Sequence, residues 1–248
     1  MKIKSKTLSL LATTFLLTAC SSLPSTPERF TKTNVEAEQM NFVVWEKDTI
    51  KPKETLRFYI EGNGSPNPKK AIALSLAKED DSDNIIVLTR PCQYIDNKIC
   101  QNKSIWEEER YHPEILKEMQ ELTTYFIKKY QAKDIELIAY GDAAPIAFNI
   151  AQRVGRTKKI VTIAGVLDID SYAKQNKLPK FKNASEVQNN YHFMGAIPQI
   201  HYIGSKDDIV TRSMTERVIA KLSKPQNITV KVVHGFDHDD WDNIKLSY

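Results

Sequence analysis

The stretch IELIAYGDAAPIAFNIAQR, residues 135–153, decides how this chain folds. Its first six residues, Ile135–Tyr140, are an apolar run short enough for a strand buried on both faces. Gly141 and Asp142 break the run. Ala144–Val154 then carries Ile146, Ala147, Ile150 and Ala151 at steps of three and four, which predicts a helix packed by small residues. A strand, a sharp turn and a helix thus follow within twenty residues, the opening of a βαβ unit.

The same alternation extends in both directions. Strands are predicted at Asn41–Glu46, Leu56–Ile60, Ile85–Thr89, Ile160–Ala164, Gln199–Gly204 and Ile228–Val233. Helical spacing marks Lys69–Lys78, Pro113–Tyr130 and Ser213–Leu222. Continuous runs such as IIVLT and KIVTIAG suit a parallel sheet covered on both faces, so the predicted fold is a doubly wound, mainly parallel α/β domain. The long segment Gly165–Pro198 reads as a lid-like insertion over the carboxyl edge of the sheet, where such folds place ligands. No internal repeat or low-complexity break divides the chain after residue 40.

The N-terminus reads differently. In MKIKSKTLSLLATTFLLTAC, Lys2, Lys4 and Lys6 precede an apolar segment from Leu8 to Leu17, too short to span a bilayer. Its end, Leu17-Thr18-Ala19-Cys20, resembles the lipobox of bacterial lipoprotein signal peptides. That resemblance implies a signal peptide over residues 1–19, acylation of Cys20, and, with Ser21 following, sorting to the outer membrane of a Gram-negative cell. Residues 20–36, rich in Ser, Thr and Pro, are expected to be the lipidated Cys and a tether, with the folded domain over 37–248. Removing the leader takes away three Lys and no acid, so the formal charge falls from +4 to +1. No basic patch with interleaved aromatics remains, and nucleic-acid binding is not expected.

The composition of the 248 residues, 41% apolar and 27% charged, is that of one globular domain and excludes wholesale disorder. With 8 Gly and 11 Pro it is not a linker-dominated chain. The sequence contains no HExxH, GxxxxGK[ST] or GxGxxG, and no cofactor or metal is expected. The three cysteines are too few for a disulfide scaffold. In an oxidising compartment Cys92 and Cys100, with seven residues between them, are expected to form a disulfide worth roughly 2–3 kcal/mol; two free buried thiols are the alternative.

Four segments point to one family. They are LRFYIEGNG (56–64), the 135–153 unit, GSKDDIV (204–210) and HGFDHDDW (234–241). Their order resembles the α/β-hydrolase fold, whose nucleophile, acid and His follow one another along the chain. More narrowly, the chain is similar to exported Gram-negative hydrolase-like proteins with a YIEGDG-type turn, an RPCQY segment, an IAG-LD strand end and a late GFDH. Here these are Tyr59–Gly64, Arg90–Tyr94 with Cys100, Trp106 and Arg110, Ile163–Asp168, and Gly235–His238. The resemblance implies that His238 is the base and Asp207, or its neighbour Asp208, the acid that orients it. It places the oxyanion turn at Gly62, Asn63 and Gly64.

The nucleophile is missing. Aligned on Ile146-Ala147 and Arg153, the elbow reads Ala139-Tyr140-Gly141-Asp142-Ala143, with Gly141 where Ser belongs. Glycine accepts the strained backbone of an elbow but offers no hydroxyl. No Ser, Thr or Cys lies between Glu136 and Arg156 to replace it. Asp142 follows, where its carboxylate would oppose the negative charge that an oxyanion hole exists to stabilise. It reads either as a dipole-favoured residue at the start of the helix or, with a one-residue shift of the elbow, as a nucleophile itself.

The expected protein is therefore a periplasm-facing lipoprotein whose degenerate hydrolase-like domain binds a small acyl or peptide ligand or an envelope protein. The alternatives are a serine-independent hydrolase of esters or peptides and a purely structural envelope lipoprotein. Among other residues, Trp106, Tyr111 and His112 are expected to pack the disulfide loop and Trp241 the last helix, and the run 107–110 to be a solvated face. Tyr191, His192 and Phe193 read equally as pocket lining or as anchors of the insertion.

Overall fold

The computed structural model describes residues 4–5, 24–38, 40–62, 65–95, 100, 103–184, 195–222, 225–242 and 244–248. Its strands are β1 (Lys4–Ser5), β2 (Phe30–Glu36), β3 (Asn41–Lys47), β4 (Leu56–Ile60), β5 (Ile85–Leu88), β6 (Ile135–Tyr140), β7 (Thr157–Ile163), β8 (Gln199–Gly204) and β9 (Ile228–Val233). The helices are α1 (Ile72–Lys78), α2 (Pro113–Tyr130), α3 (Ala144–Val154), α4 (Ile169–Gln175) and α5 (Arg212–Ile219).

All strands join one sheet in the order β1-β2-β3-β5-β4-β6-β7-β8-β9. From β5 to β9 every pairing is parallel, while β3 runs antiparallel to both β2 and β5. The chain passes from β4 outward to β5 and then returns to the far side of β4 as β6. The direction of winding therefore reverses beside β4, and a crevice opens past the carboxyl ends of β4 and β6.

The pleat divides the core in two. Phe42, Val44, Leu56, Phe58, Ile60, Leu137 and Ala139 point to the layer that holds α2 and α3. Val43, Trp45, Tyr59, Ile138, Tyr140 and Val161 point to the layer with α1 and Trp241. Alternation inside fully apolar runs is what a sheet covered on both faces requires. Helix α2 starts with His112 Nδ1 accepting from Glu114 N–H at 3.3 Å and with Pro113 in its first turn. His112 is thus a cap, and Tyr111 is buried beneath it.

Two expectations change. The tether reading of residues 20–36 stops short of Phe30, because Phe30–Glu36 pairs residue by residue with the apolar β3. Only Phe30 and Val35 of this outer strand are buried, so too few apolar residues announced it. The segment Gly165–Pro198 is not irregular throughout: it contains α4, whose start is capped by Asp168 Oδ1 accepting from Ser171 N–H at 2.9 Å. Tyr191, His192 and Phe193 lie outside the described residues. Among the described residues no helix is long and apolar enough to cross a membrane.

One buried group ties the sheet to pH. His201 on β8 lies between Thr162 Oγ1 at 2.8 Å and Gln199 Oε1 at 3.1 Å, and burial pushes its pKa down to about 4. A depressed histidine contributes stability that is full above its unfolded value near 6.5 and lost as pH falls through 4. This contribution is expected to weaken across that interval by a few kcal/mol, read in urea unfolding as the difference between the natural protein and His201→Gln.

Candidate functional site

The elbow forms at the end of β6. Tyr140 is still extended, Gly141–Ala143 makes a single 3-10 turn, and α3 begins at Ala144. Gly141 has φ +55°, a conformation that β-carbon-bearing residues rarely adopt and nucleophile elbows require. A Cβ built on Gly141 would stand 3.8 Å from His238 Nε2, with no other heavy atom beyond its chain neighbours within 4 Å among the described residues.

His238 is held by the loop after β9. Its Nδ1 lies 3.0 Å from Asp207 Oδ2, so the carboxylate accepts and Nδ1 carries the proton; in the neutral ring the Nε2 lone pair then faces Gly141. The other Asp207 oxygen accepts the N–H groups of Ile209 at 3.0 Å and Val210 at 2.8 Å, which fixes the acid in its turn. Asp207, not Asp208, reaches the imidazole. Burial pulls the His238 pKa down, but the hydrogen bond and charge of Asp207, with Asp239 and Asp142 behind it, hold it above its ordinary value. The acid and base loops meet closely at Gly204, where a Cβ would lie 2.4 Å from Phe236 O. Tyr140 Oη donates to His238 O at 3.1 Å and Asp239 Oδ1 at 2.9 Å, tying the elbow strand to the histidine loop.

Asp142 does not sit as its position in the elbow suggests. Its Oδ2 accepts from Arg90 Nη1 and Arg110 Nη1, both at 2.9 Å, in a site where all three side chains are buried. Burial alone would raise its pKa; the charges and hydrogen bonds of the two guanidiniums outweigh it and hold the carboxyl below the usual carboxylate range. The reading of Asp142 as a residue favoured mainly by the helix dipole gives way to a buried ion triad, because a carboxylate without water needs full counter-charge. Arg90 Nη2 also donates to Arg110 O at 2.6 Å, and Tyr111 Oη to Asp142 O at 3.1 Å. Arg90 and Arg110 stand in the quoted motif, yet nothing in their spacing links them to a carboxylate 52 and 32 residues later.

The RPCQY segment also holds Gly62, the described residue of the expected oxyanion turn. Gln93 Nε2 donates to Gly62 O at 3.0 Å and Ser65 O at 3.3 Å, and Gln93 Oε1 accepts from Arg90 N–H at 2.9 Å. Gly62 has no alternative there, since a Cβ would lie 2.1 Å from Tyr140 O. Asn63 and Gly64 lie outside the described residues. Cys92 and Cys100 are joined by a disulfide, with Cα atoms 5.3 Å apart, which closes the loop behind Gln93.

Glu61, at the end of β4, is a site residue that the sequence did not single out. It is fully buried, accepts the Ala73 N–H at 3.1 Å, and burial pushes its pKa up to about 8. A raised carboxyl contributes stability that is full below its unfolded value near 4.5 and lost as pH rises through 8. Above pH 6.5, where His201 no longer titrates, Glu61 is expected to lower stability by about 2 kcal/mol toward pH 8, and Glu61→Gln to reduce the alkaline slope to the part that His238, also raised, contributes.

Chemically, the site holds a carboxylate-oriented imidazole facing a glycine turn, and beyond the chain neighbours of Gly141 no other described atom lies within 4 Å of the missing Cβ. Among the described residues no group of three His, Cys, Asp or Glu side chains could hold a metal ion.

No family model and no curated protein matches the sequence. Solved structures do match the fold. Est1E from Butyrivibrio proteoclasticus is similar at TM-score 0.60 and 9% identity, covering 86% of this chain and 91% of that one. An α/β serine hydrolase without a lid from Xanthomonas campestris is similar at TM-score 0.58 and 10% identity, covering 90% and 91%. An esterase from Pyrococcus furiosus is similar at TM-score 0.57 and 15% identity, covering 84% and 82%. The fold is that of the α/β-hydrolases.

Proposed function

We propose that this chain is an outer-membrane lipoprotein, anchored at Cys20 and facing the periplasm, whose α/β-hydrolase domain has lost acyl-enzyme chemistry and serves as a binding module. The observation that carries the loss is Gly141, which occupies the elbow with the required backbone while His238 and Asp207 stay engaged beside it. Removing a triad nucleophile costs on the order of 10⁶ in rate. The ligand is a small acyl or peptide group in the inherited crevice, or an envelope protein.

Cys20 and the lipobox lie outside the described residues, so the anchor rests on the resemblance of residues 1–20. Nine residues separate Cys20 from Phe30, so the ten steps between them span about 35 Å at full extension and would keep the domain close to the bilayer. Cleavage before Cys20 would also remove β1 and leave β2 as the sheet edge. The test is metabolic labelling with palmitate, followed by membrane fractionation and co-purification from the envelope. Label lost with Cys20→Ala, and a partner or ligand retained by the natural protein, are the expected results. An unlabelled protein removes the anchor; an envelope survey without ligand or partner removes the binding role and leaves a structural lipoprotein.

A second reading is a hydrolase in which His238 activates water directly, favoured by the free Nε2 lone pair. It requires ester or peptide turnover by the natural protein that disappears with His238→Ala. Nucleophilic attack by Asp142 is disfavoured, because its carboxylate would first have to leave both Arg90 and Arg110.

A further inference from the structure

We infer that the sheet edge at which the tether enters docks on the bilayer, with a cationic groove between α2 and α3 taking the phosphate of an anionic phospholipid headgroup. The inference rests on the anchor reading and adds the face that meets the membrane. Register fixes the edge. Phe30, the first residue of β2, pairs with Lys47, and Glu46 of the same β3 pairs with Ile86 of β5. Lys47 therefore lies level with the amino end of β5. The tether joins the sheet at the amino edge of the parallel strands, opposite the crevice.

The groove opens at the same edge, where α2 and α3 end and β6 and β7 begin, and has a volume of about 620 Å³. Lys128, Arg153 and Arg156 line it beside the apolar Ile127 and Val154, with no acidic side chain among its described lining residues. Lys128 and Arg153 stand in the last turns of their helices, where a cation suits the dipole. The dipole does not account for Arg156, which lies past the end of α3 and gives one donor to Ala132 O at 3.3 Å, a partner without charge. Acids of this edge are met elsewhere: Asp80, Asp81 and Asp83, before β5, pair with Arg57, Lys245 and Lys51. Cations with apolar neighbours suit a phosphodiester on an organic stem, which is the chemistry of an anionic headgroup. The reach also fits. In the sheet order β6 and β7 lie four and five places from β2. That is about 19–24 Å at the usual strand spacing, within the reach of about 35 Å from Cys20 to Phe30. Anchoring makes the headgroup contact intramolecular, so a weak affinity suffices. The crevice, at the other edge, then faces away from the membrane.

The test uses the protein purified from the envelope and reconstituted in vesicles of phosphatidylethanolamine, alone or mixed with phosphatidylglycerol. A bimane fluorophore is attached through Lys133→Cys at the amino edge or Lys206→Cys at the carboxyl edge, and is quenched by a nitroxide on a lipid headgroup. Quenching is expected at Lys133→Cys and not at Lys206→Cys, rising with phosphatidylglycerol and fading with salt. Each cation near an anionic leaflet is worth roughly fivefold in the docked-to-undocked ratio, so Lys128→Gln, Arg153→Gln and Arg156→Gln together are expected to lower it by up to about 10²-fold. Arg153→Lys with Arg156→Lys is expected to keep it. The phosphatidylglycerol and salt arms need no change in the groove, so they decide the matter even if the triple variant folds poorly. Quenching that ignores phosphatidylglycerol, that is stronger at Lys206→Cys, or that survives the triple change overturns the proposal. Displacement by soluble polyglutamate overturns it too, and assigns the groove to an acidic protein segment. A protein that does not float with the vesicles removes the anchor reading and the docking with it, whereas a floating protein without edge-specific quenching removes the docking alone.

Discussion

Gly141→Ser is expected to convert the protein into an enzyme that reacts with a fluorophosphonate and turns over p-nitrophenyl esters, where the natural chain does neither. The residue to be added already has its surroundings. The φ of +55° belongs to an elbow, and beyond its chain neighbours the new Cβ would meet no described atom closer than His238 Nε2 at 3.8 Å. The base is oriented by Asp207 and raised in pKa by it. A full triad is worth on the order of 10⁶ over its nucleophile-free form; a site under no selection for turnover is expected to recover at least about 10²–10³ of this. Turnover in Gly141→Ser is expected to vanish with a second change, His238→Ala. A stable Gly141→Ser protein without label or turnover would mean that the oxyanion donors no longer point into the crevice. Turnover by the natural protein, lost with His238→Ala, would replace the binding reading by direct activation of water.

Asp142→Ala is expected to give the largest loss of stability of any single change in the crevice, about 3–5 kcal/mol in urea unfolding. The mutation leaves Arg90 and Arg110 buried without counter-charge, with side chains only 1% and 9% exposed. Bonds to Arg110 O and Glu107 O satisfy two of their other donors but neutralise no charge. Asp142→Asn keeps the shape and one hydrogen-bond acceptor, and is expected to lose nearly as much because the charge is what the pair requires. A loss below about 1 kcal/mol in Asp142→Ala would show that water reaches the guanidiniums and that the triad is a surface feature in solution. Arg90→Met is expected to fall between, since Arg110 still faces the carboxylate.

The two results would also separate the contributions that the crevice combines. On the proposed reading, Gly141 removes acyl-enzyme chemistry while preserving the backbone of the elbow. Asp142 ties that elbow to the RPCQY segment, which in turn clamps Gly62 through Gln93. A residue that looks hostile to an oxyanion is therefore part of what holds the turn in place.

The order of strands and helices was legible because its signals are local. Leu56–Ile60, Ile135–Tyr140, Gln199–Gly204 and Ile228–Val233 are strands with the expected bounds, and Pro113–Tyr130 and Ala144–Val154 are helices with theirs. Apolar period, Gly and Pro mark such elements within a dozen residues. Phe30–Glu36 escaped for the same reason, since an outer strand with two buried residues has almost no period to read. The elbow, too, was visible in the sequence, because a strand, a glycine and a small-residue helix must follow one another there.

What the sequence by itself determined is thus the doubly wound α/β architecture and the glycine at its elbow. Only the tertiary structure decided which charges meet: Asp207 rather than Asp208 on His238, 31 residues away, and Arg90 and Arg110 on Asp142; it also decided the burial of Glu61. The physical reason is range. Backbone periodicity is set by neighbours along the chain, whereas the cost of burying a charge is settled by whatever the fold brings alongside it, and no spacing in the sequence records that distance.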